Sequence, residues 1–155
     1  MELLKLKKEY DKLKDKYKLP SFKELNADFE IDKLDKEIDN VLRAIRKIMM
    51  EKIVNSMSFL EMLLNPVNAP RMYLPYVRTM SIEDKKTIDN IYSALADLSL
   101  VSLDLEINSS EKGEADLINL TFNKWGELKL GFGQILKSMK QPRDFEVKKE
   151  RSYFG

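Results

Sequence analysis

The chain has 155 residues, 43% of them hydrophobic, with 27 basic and 26 acidic side chains and a formal net charge of +1. That is enough apolar material for one domain with a buried core, and too little net charge for a global footprint directed at nucleic acid or an anionic membrane. Cysteine and histidine are both absent, which removes disulfides, thiolate zinc sites, cysteine nucleophiles, histidine general bases and two-histidine metal motifs together.

The lack of cysteine fits a reducing compartment. Apolar runs stop well short of the roughly 18 residues of a membrane span, and Met1-Glu2 leads into Leu-Lys alternation without a small-residue cleavage site. The expectation is a cytoplasmic, non-membrane protein with a single helical domain over residues 1–140 and a flexible tail over 141–155.

In chain order, Leu3, Leu6, Tyr10, Leu13 and Tyr17 recur at spacings of three and four, an apolar seam on a lysine-rich helix over about 2–17. At about two heptads it is too short to stand alone in water, so it must dock on the body of the protein or on a second chain. Pro20 closes it, and Ser21-Phe22-Lys23-Glu24 has the spacing of a capping box opening a short turn over 22–25. Phe22, Leu25 and Phe29 are positioned to lid one end of a core.

The span 32–64 holds no Gly or Pro and predicts one long helix, roughly 50 Å at about 1.5 Å per residue. Leu34, Ile38, Val41, Ile45, Ile48, Ser56, Phe59 and Leu63 form a stripe that Leu42, Met49, Ile53, Leu60 and Leu64 widen, so the helix should touch two neighbours. Asp32, Asp35 and Glu37 suit the positive end of its dipole. Lys52 falls within the stripe; it either snorkels, with the buried face turned toward Ile53 and Met57, or forms a buried ion pair with an acid on another helix.

Asn65-Pro66 ends that helix. Pro66, Pro70 and Pro75 then argue against a regular helix over 65–80, yet the segment is dense in Arg71, Met72, Tyr73, Leu74, Tyr76, Val77 and Arg78. Paired aromatics and arginines are the residue types of interface hot spots, which makes Arg71, Met72, Tyr73, Leu74, Tyr76 and Arg78 candidate partner-binding residues. The competing expectation is a cap over the end of the bundle.

Ser81 is an N-cap followed by the acids Glu83 and Asp84, and a helix over 82–107 carries Lys86, Asn90, Ser93, Asp97, Asp104 and Asn108 on one polar stripe. Leu117, Ile118, Phe122, Trp125, Leu128, Phe132, Ile135, Leu136 and Met139 share one arc of a last helix over 114–140, with Leu120 and Leu130 outside it. The alternative is a three-stranded antiparallel meander over about 101–133, built on the alternation at 103–107, 118–122 and 128–132. Gly126, Gly131 and Gly133 weigh against helix by about 1 kcal/mol each, which nine large apolar side chains outweigh.

The fold expected is therefore all-α, an antiparallel bundle of three long helices plus a short N-terminal helix, with α+β as the alternative. The tail loses periodicity and ends on the aromatic pair Tyr153 and Phe154, candidate partner contacts.

Chemical motifs are sparse. Gly131-Phe132-Gly133 lacks the third glycine of a dinucleotide fingerprint, and Asp28, Glu30 and Asp32 lack the glycine and closing Glu of a calcium loop. Asp97 and Asp104 are the best carboxylate pair, and a solvent-facing stripe explains them. We expect no catalytic residue, no metal and no cofactor. The functional expectation is a non-enzymatic protein–protein interaction or assembly module, self-associating or part of a larger complex. The alternative is a nucleic-acid accessory protein using the lysines of the first helix with Arg71 and Arg78, which would bind with steep salt dependence.

Overall fold

The computed structural model describes residues 3–34 and 38–141. The protein is all-α; no strand occurs among the described residues. Among the described residues six α-helices follow one another: α1 (Leu3–Tyr17), α2 (Phe22–Phe29), α3 (Val41–Leu64), α4 (Leu74–Thr79), α5 (Ile82–Ile107) and α6 (Glu111–Lys140). The meander alternative is overturned: the alternating runs lie in the end of α5 and in α6, where the helical period continues without interruption.

The long helices α3, α5 and α6 pack on one another in all three pairings. Arg46 near the start of α3 meets Ser102 and Glu106 near the end of α5 and Glu114 at the start of α6, so α5 runs against the other two. Each contributes an apolar row at spacings of three and four, the pattern that seats side chains between facing helices. On α5 the row is Ile88, Ile91, Leu95, Leu98, Ser102 and Leu105, all buried. On α6 it runs from Glu114 through Ile118, Thr121 and Trp125 to Ile135. Leu120 and Leu130, outside the expected arc, are exposed.

The helix expected over 32–64 begins only at Val41 and is about 36 Å long. Polar side chains divert the chain upstream. Glu30 closes α2 in the left-handed region (φ 53°), Asp32 N–H donates to the Asn26 side chain at 2.8 Å, and Ile31–Lys33 forms a 3-10 turn. Asn40, extended, then caps α3 by accepting from Arg43 N–H at 3.0 Å. Such local side-chain bonds compete with helix continuation. Leu34 and Ile38 still pack on the core, which is why they continue the periodic stripe. Asp35 and Glu37 lie outside the described residues.

The capping box at Ser21 and Glu24 is complete, and it opens eight residues of helix rather than a single turn. The prolines of 65–80 start turns instead of breaking them. Pro66 and Pro75 occupy the first positions of a 3-10 turn and of α4, where an amide N–H has no intrahelical partner to lose. The last helix starts three residues earlier than expected, because Ser110 caps it by accepting from Gly113 N–H at 3.0 Å.

Most of the seam of α1 is covered within the chain, with Leu13 and Tyr17 half-buried and Leu3 left exposed. Leu6 and Tyr10 are buried, the Tyr10 hydroxyl donates to Pro20 O at 2.6 Å, and the ring meets Phe22 edge-on at 5.8 Å. At the other end Tyr17 Oη donates to Glu111 Oε1 at 2.6 Å and Lys16 Nζ reaches the same oxygen at 3.0 Å, tying α1 to the start of α6.

Candidate functional site

The expected partner-binding segment divides into an inner and an outer edge. Tyr76 is 2% exposed and its hydroxyl donates to Asp84 Oδ2 at 3.1 Å, so it is a cap on the bundle. Tyr73 is half-buried edge-on to Phe59 at 5.8 Å, and Leu74 is half-buried beside it in sequence. Arg71, Met72 and Arg78 face outward. Tyr153 and Phe154 lie outside the described residues.

Lys52 snorkels. Its ammonium donates to the Asp28 carbonyl and lies over the rings of Phe29 and Trp125, 5.5 and 5.0 Å from their centroids. The chain turns its buried face to Ile53, so no acid is needed beneath the lysine. Lys52 and Phe29 border a groove of about 670 Å³ between α2, α3 and α6, walled by Ile48, Phe59, Phe132 and Leu136.

A buried ion pair does exist, one and a half turns earlier. Arg46 is 2% exposed and Glu114 fully buried. Arg46 Nε and Nη2 donate to the two Glu114 oxygens at 2.7 and 3.0 Å, while Nη1 donates to Ser102 Oγ at 3.0 Å and to Glu106 Oε1 at 2.7 Å. The paired, fork-shaped geometry is the strongest available to a carboxylate. Arg43 also reaches Glu106, at 3.2 Å, with Lys47 4.0 Å away. The Arg46 hydrogen bond, aided by Arg43, holds the Glu106 carboxyl below its ordinary range, and Glu114 raises Arg46 above its own.

The sequence contained a signal for this layer that periodicity of apolar residues passes over. Arg46, Ser102 and Glu114 each occupy an in-phase core position of their helix. Three polar residues at heptad positions, one per helix and at one level, form a polar layer through the core.

Directly above this layer, α3 and α5 enclose a groove of about 620 Å³ with Arg46, Ser102 and Glu106 at its base and Met50, Val54, Ser99 and Leu103 on its walls. Its α5 wall belongs to a second apolar row. Ala96, Leu100, Leu103 and Ile107 follow spacings of four, three and four, on the face of α5 turned away from the core row. Leu100 is 64% exposed, Leu103 59% and Ile107 81%. A helix with one buried and one exposed apolar row has a partner on one side only. Asp97 and Asp104, expected as a polar stripe, are exposed along the edge of this row, and neither is ion-paired among the described residues.

Among the described residues no three Asp or Glu side chains gather to hold a metal ion, and no helix is long and apolar enough to cross a membrane. Comparison with protein-family models, with curated proteins and with solved structures returns no match.

Proposed function

We propose that this protein is a non-enzymatic interaction module, a subunit that docks a helix of another protein on the face formed by α3 and α5. The observation that carries the reading is the exposed row Leu100, Leu103 and Ile107, continued across the groove by Val54. Large aliphatic side chains at helical spacing and in solvent are the half of a helix–helix contact that is missing its complement. The Pro-rich segment is the weaker surface, because Tyr76 is committed to the core and Tyr73 and Leu74 are half-covered. The seam of α1 no longer calls for a second chain. We place the module in the cytoplasm, on the strength of its cysteine-free composition.

We rank the nucleic-acid alternative second: Lys12 and Lys16 lie beside Glu9 and Glu111, while Lys5, Lys7, Lys8, Arg71 and Arg78 are exposed.

The test is a photo-crosslinking residue placed at Leu103 in cells of the source organism, with the equally outward Leu130 of α6 as control. The expected result is one discrete adduct from position 103, none from position 130, and competition by the unlabelled wild type but not by its Leu100→Asp variant. Equal labelling from both positions, or none from either, contradicts the reading.

A further inference from the structure

We infer that the occupant of the α3/α5 face is a basic amphipathic helix: a partner segment with an apolar row at spacings of three and four, flanked on both sides by lysine or arginine. This rests on the docking reading above and adds the chemistry of the partner. The apolar requirement follows from Leu100, Leu103, Ile107 and Val54. The charge requirement follows from the rims. On α5 the groove itself is lined by Ser99, Ser102, Leu103 and Glu106, and Asp97 and Asp104 edge the exposed row on its far side; from Leu95 to Ile107 the helix has no lysine or arginine at all. On the α3 side Glu51 lines the groove, exposed and without an ion-pair partner among the described residues. Two cations also line the groove, and both lie against Glu106, Arg46 at 2.7 Å and the half-exposed Lys47 at 4.0 Å, with Arg43 3.2 Å from the same carboxylate.

A second copy of this chain is a poor occupant for the same reason. Paired antiparallel through Leu103, the Asp97 and Asp104 rim meets its own copy. Paired parallel, it meets the rim of Ser99 and Glu106, which contributes no cation from α5. Like charges opposed along a helix seam select against the pairing, whereas a lysine-flanked helix is matched on both rims. An anionic membrane and a nucleic acid are repelled by the same carboxylates.

The experiment uses the full chain and three synthetic peptides of about three heptads, long enough to lie along the exposed row. One has leucine at the core positions and lysine on the flanks. The second replaces those lysines with glutamate. The third keeps the lysines and shuffles the leucines out of register. Binding is read by fluorescence anisotropy at low salt and again above about 0.5 M, where the screening length falls to a few ångströms. The lysine-flanked peptide is expected to bind at least about tenfold tighter than its glutamate twin at low salt, with the gap closing at high salt. The Asp97→Lys, Asp104→Lys double variant should reverse the preference; both positions are exposed, and circular dichroism checks that its fold is kept.

Equal affinity for the lysine and glutamate peptides overturns the inference about charge and leaves the docking reading standing. Equal affinity for the shuffled peptide overturns it too, as undirected attraction. No binding by any peptide overturns both. Sedimentation showing self-association that Leu103→Asp abolishes makes the occupant a second copy, and overturns the inference.

Discussion

Replacing Glu114 by Gln tests whether the buried layer is an energetic unit. The carboxylate accepts from Arg46 Nε at 2.7 Å and Nη2 at 3.0 Å, in a site where Arg46 is almost wholly shielded from water. The amide keeps one acceptor, turns an NH₂ toward the guanidinium and leaves the positive charge balanced only by Glu106, which lies half-exposed on one side. Breaking a buried pair from one side typically destabilises by about 3–5 kcal/mol; the surviving Glu106 contact places this case near the lower end, about 3 kcal/mol. That is a large share of a total stability of roughly 5–15 kcal/mol. With a urea dependence of about 1–3 kcal/mol per molar, the midpoint should fall by about 1–3 M. The double variant Arg46→Met, Glu114→Leu removes both charges and fills the space with apolar atoms. It should be near wild-type stability or above it, less about 1 kcal/mol for the lost bond to Ser102. The assay is urea unfolding followed by circular dichroism on Glu114→Gln and on a cycle of wild type, Arg46→Met, Glu114→Leu and the double variant. A Glu114→Gln shift under about 1 kcal/mol, or a double variant worse than either single one, refutes the reasoning.

Glycines in α6 separate by what surrounds them. A Cβ at Gly126 or Gly133 meets nothing within 4 Å, so alanine at each should stabilise by about 0.5–1 kcal/mol, seen as a higher melting temperature. A Cβ at Gly113 comes within 2.7 Å of both Leu105 Cδ2 and the capping Ser110 Oγ, so Gly113→Ala should lower the melting temperature. Acid sensitivity has a definite sign. The Ser21 backbone N–H depresses Glu24, Arg46 depresses Glu106, and the Tyr17 hydroxyl, with Lys16, depresses Glu111, each below an ordinary 4.5. The folded state therefore releases these protons more readily than the unfolded chain, and their stabilisation is present above pH 4.5 and is lost as pH falls through the lower folded values. Urea midpoints should be flat near neutrality and drop below that point, with a shallower drop for Glu106→Gln; an identical acid limb in that variant contradicts the assignment. At the alkaline end, burial pushes the Tyr10 phenol above its ordinary 10.0, so stability should decline as pH rises past 10. Tyr10→Phe should blunt that decline.

Caps and apolar periods made most of the architecture legible beforehand. Ser21 with Glu24 and Ser81 announce helix starts through donors that only a side chain can satisfy, and the end of α5 at Ile107 falls where the pattern stops. The helix over 101–133 follows from burial outweighing glycine cost: Gly126 and Gly133, with open space where a Cβ would sit, carry that cost in full, and the buried row of α6 outweighs it. The start of α3 is not legible because Leu34 and Ile38 remain in phase while Asn26 and Glu30 turn the chain at residues 30–34 and Asn40 caps the helix afresh. Periodicity records which residues reach the core, not the path between them. Arg46 escaped notice because a basic residue in a charged chain looks like surface until three helices are laid side by side. The exposed row on α5 has the same character. An apolar majority on that helix is readable, but which half lacks a partner depends on where α3 and α6 end up.

Whether α3 and α5 together form a docking face is measured most directly by an amide NMR titration of the full chain with the lysine-flanked peptide. A docking face there gives shifts concentrated at Met50, Val54, Ser99, Leu103 and Ile107, with α1 and the segment 71–78 unmoved. Shifts centred on the lysines of α1 or on Arg71, Met72 and Arg78, with the α5 row unchanged, contradict it.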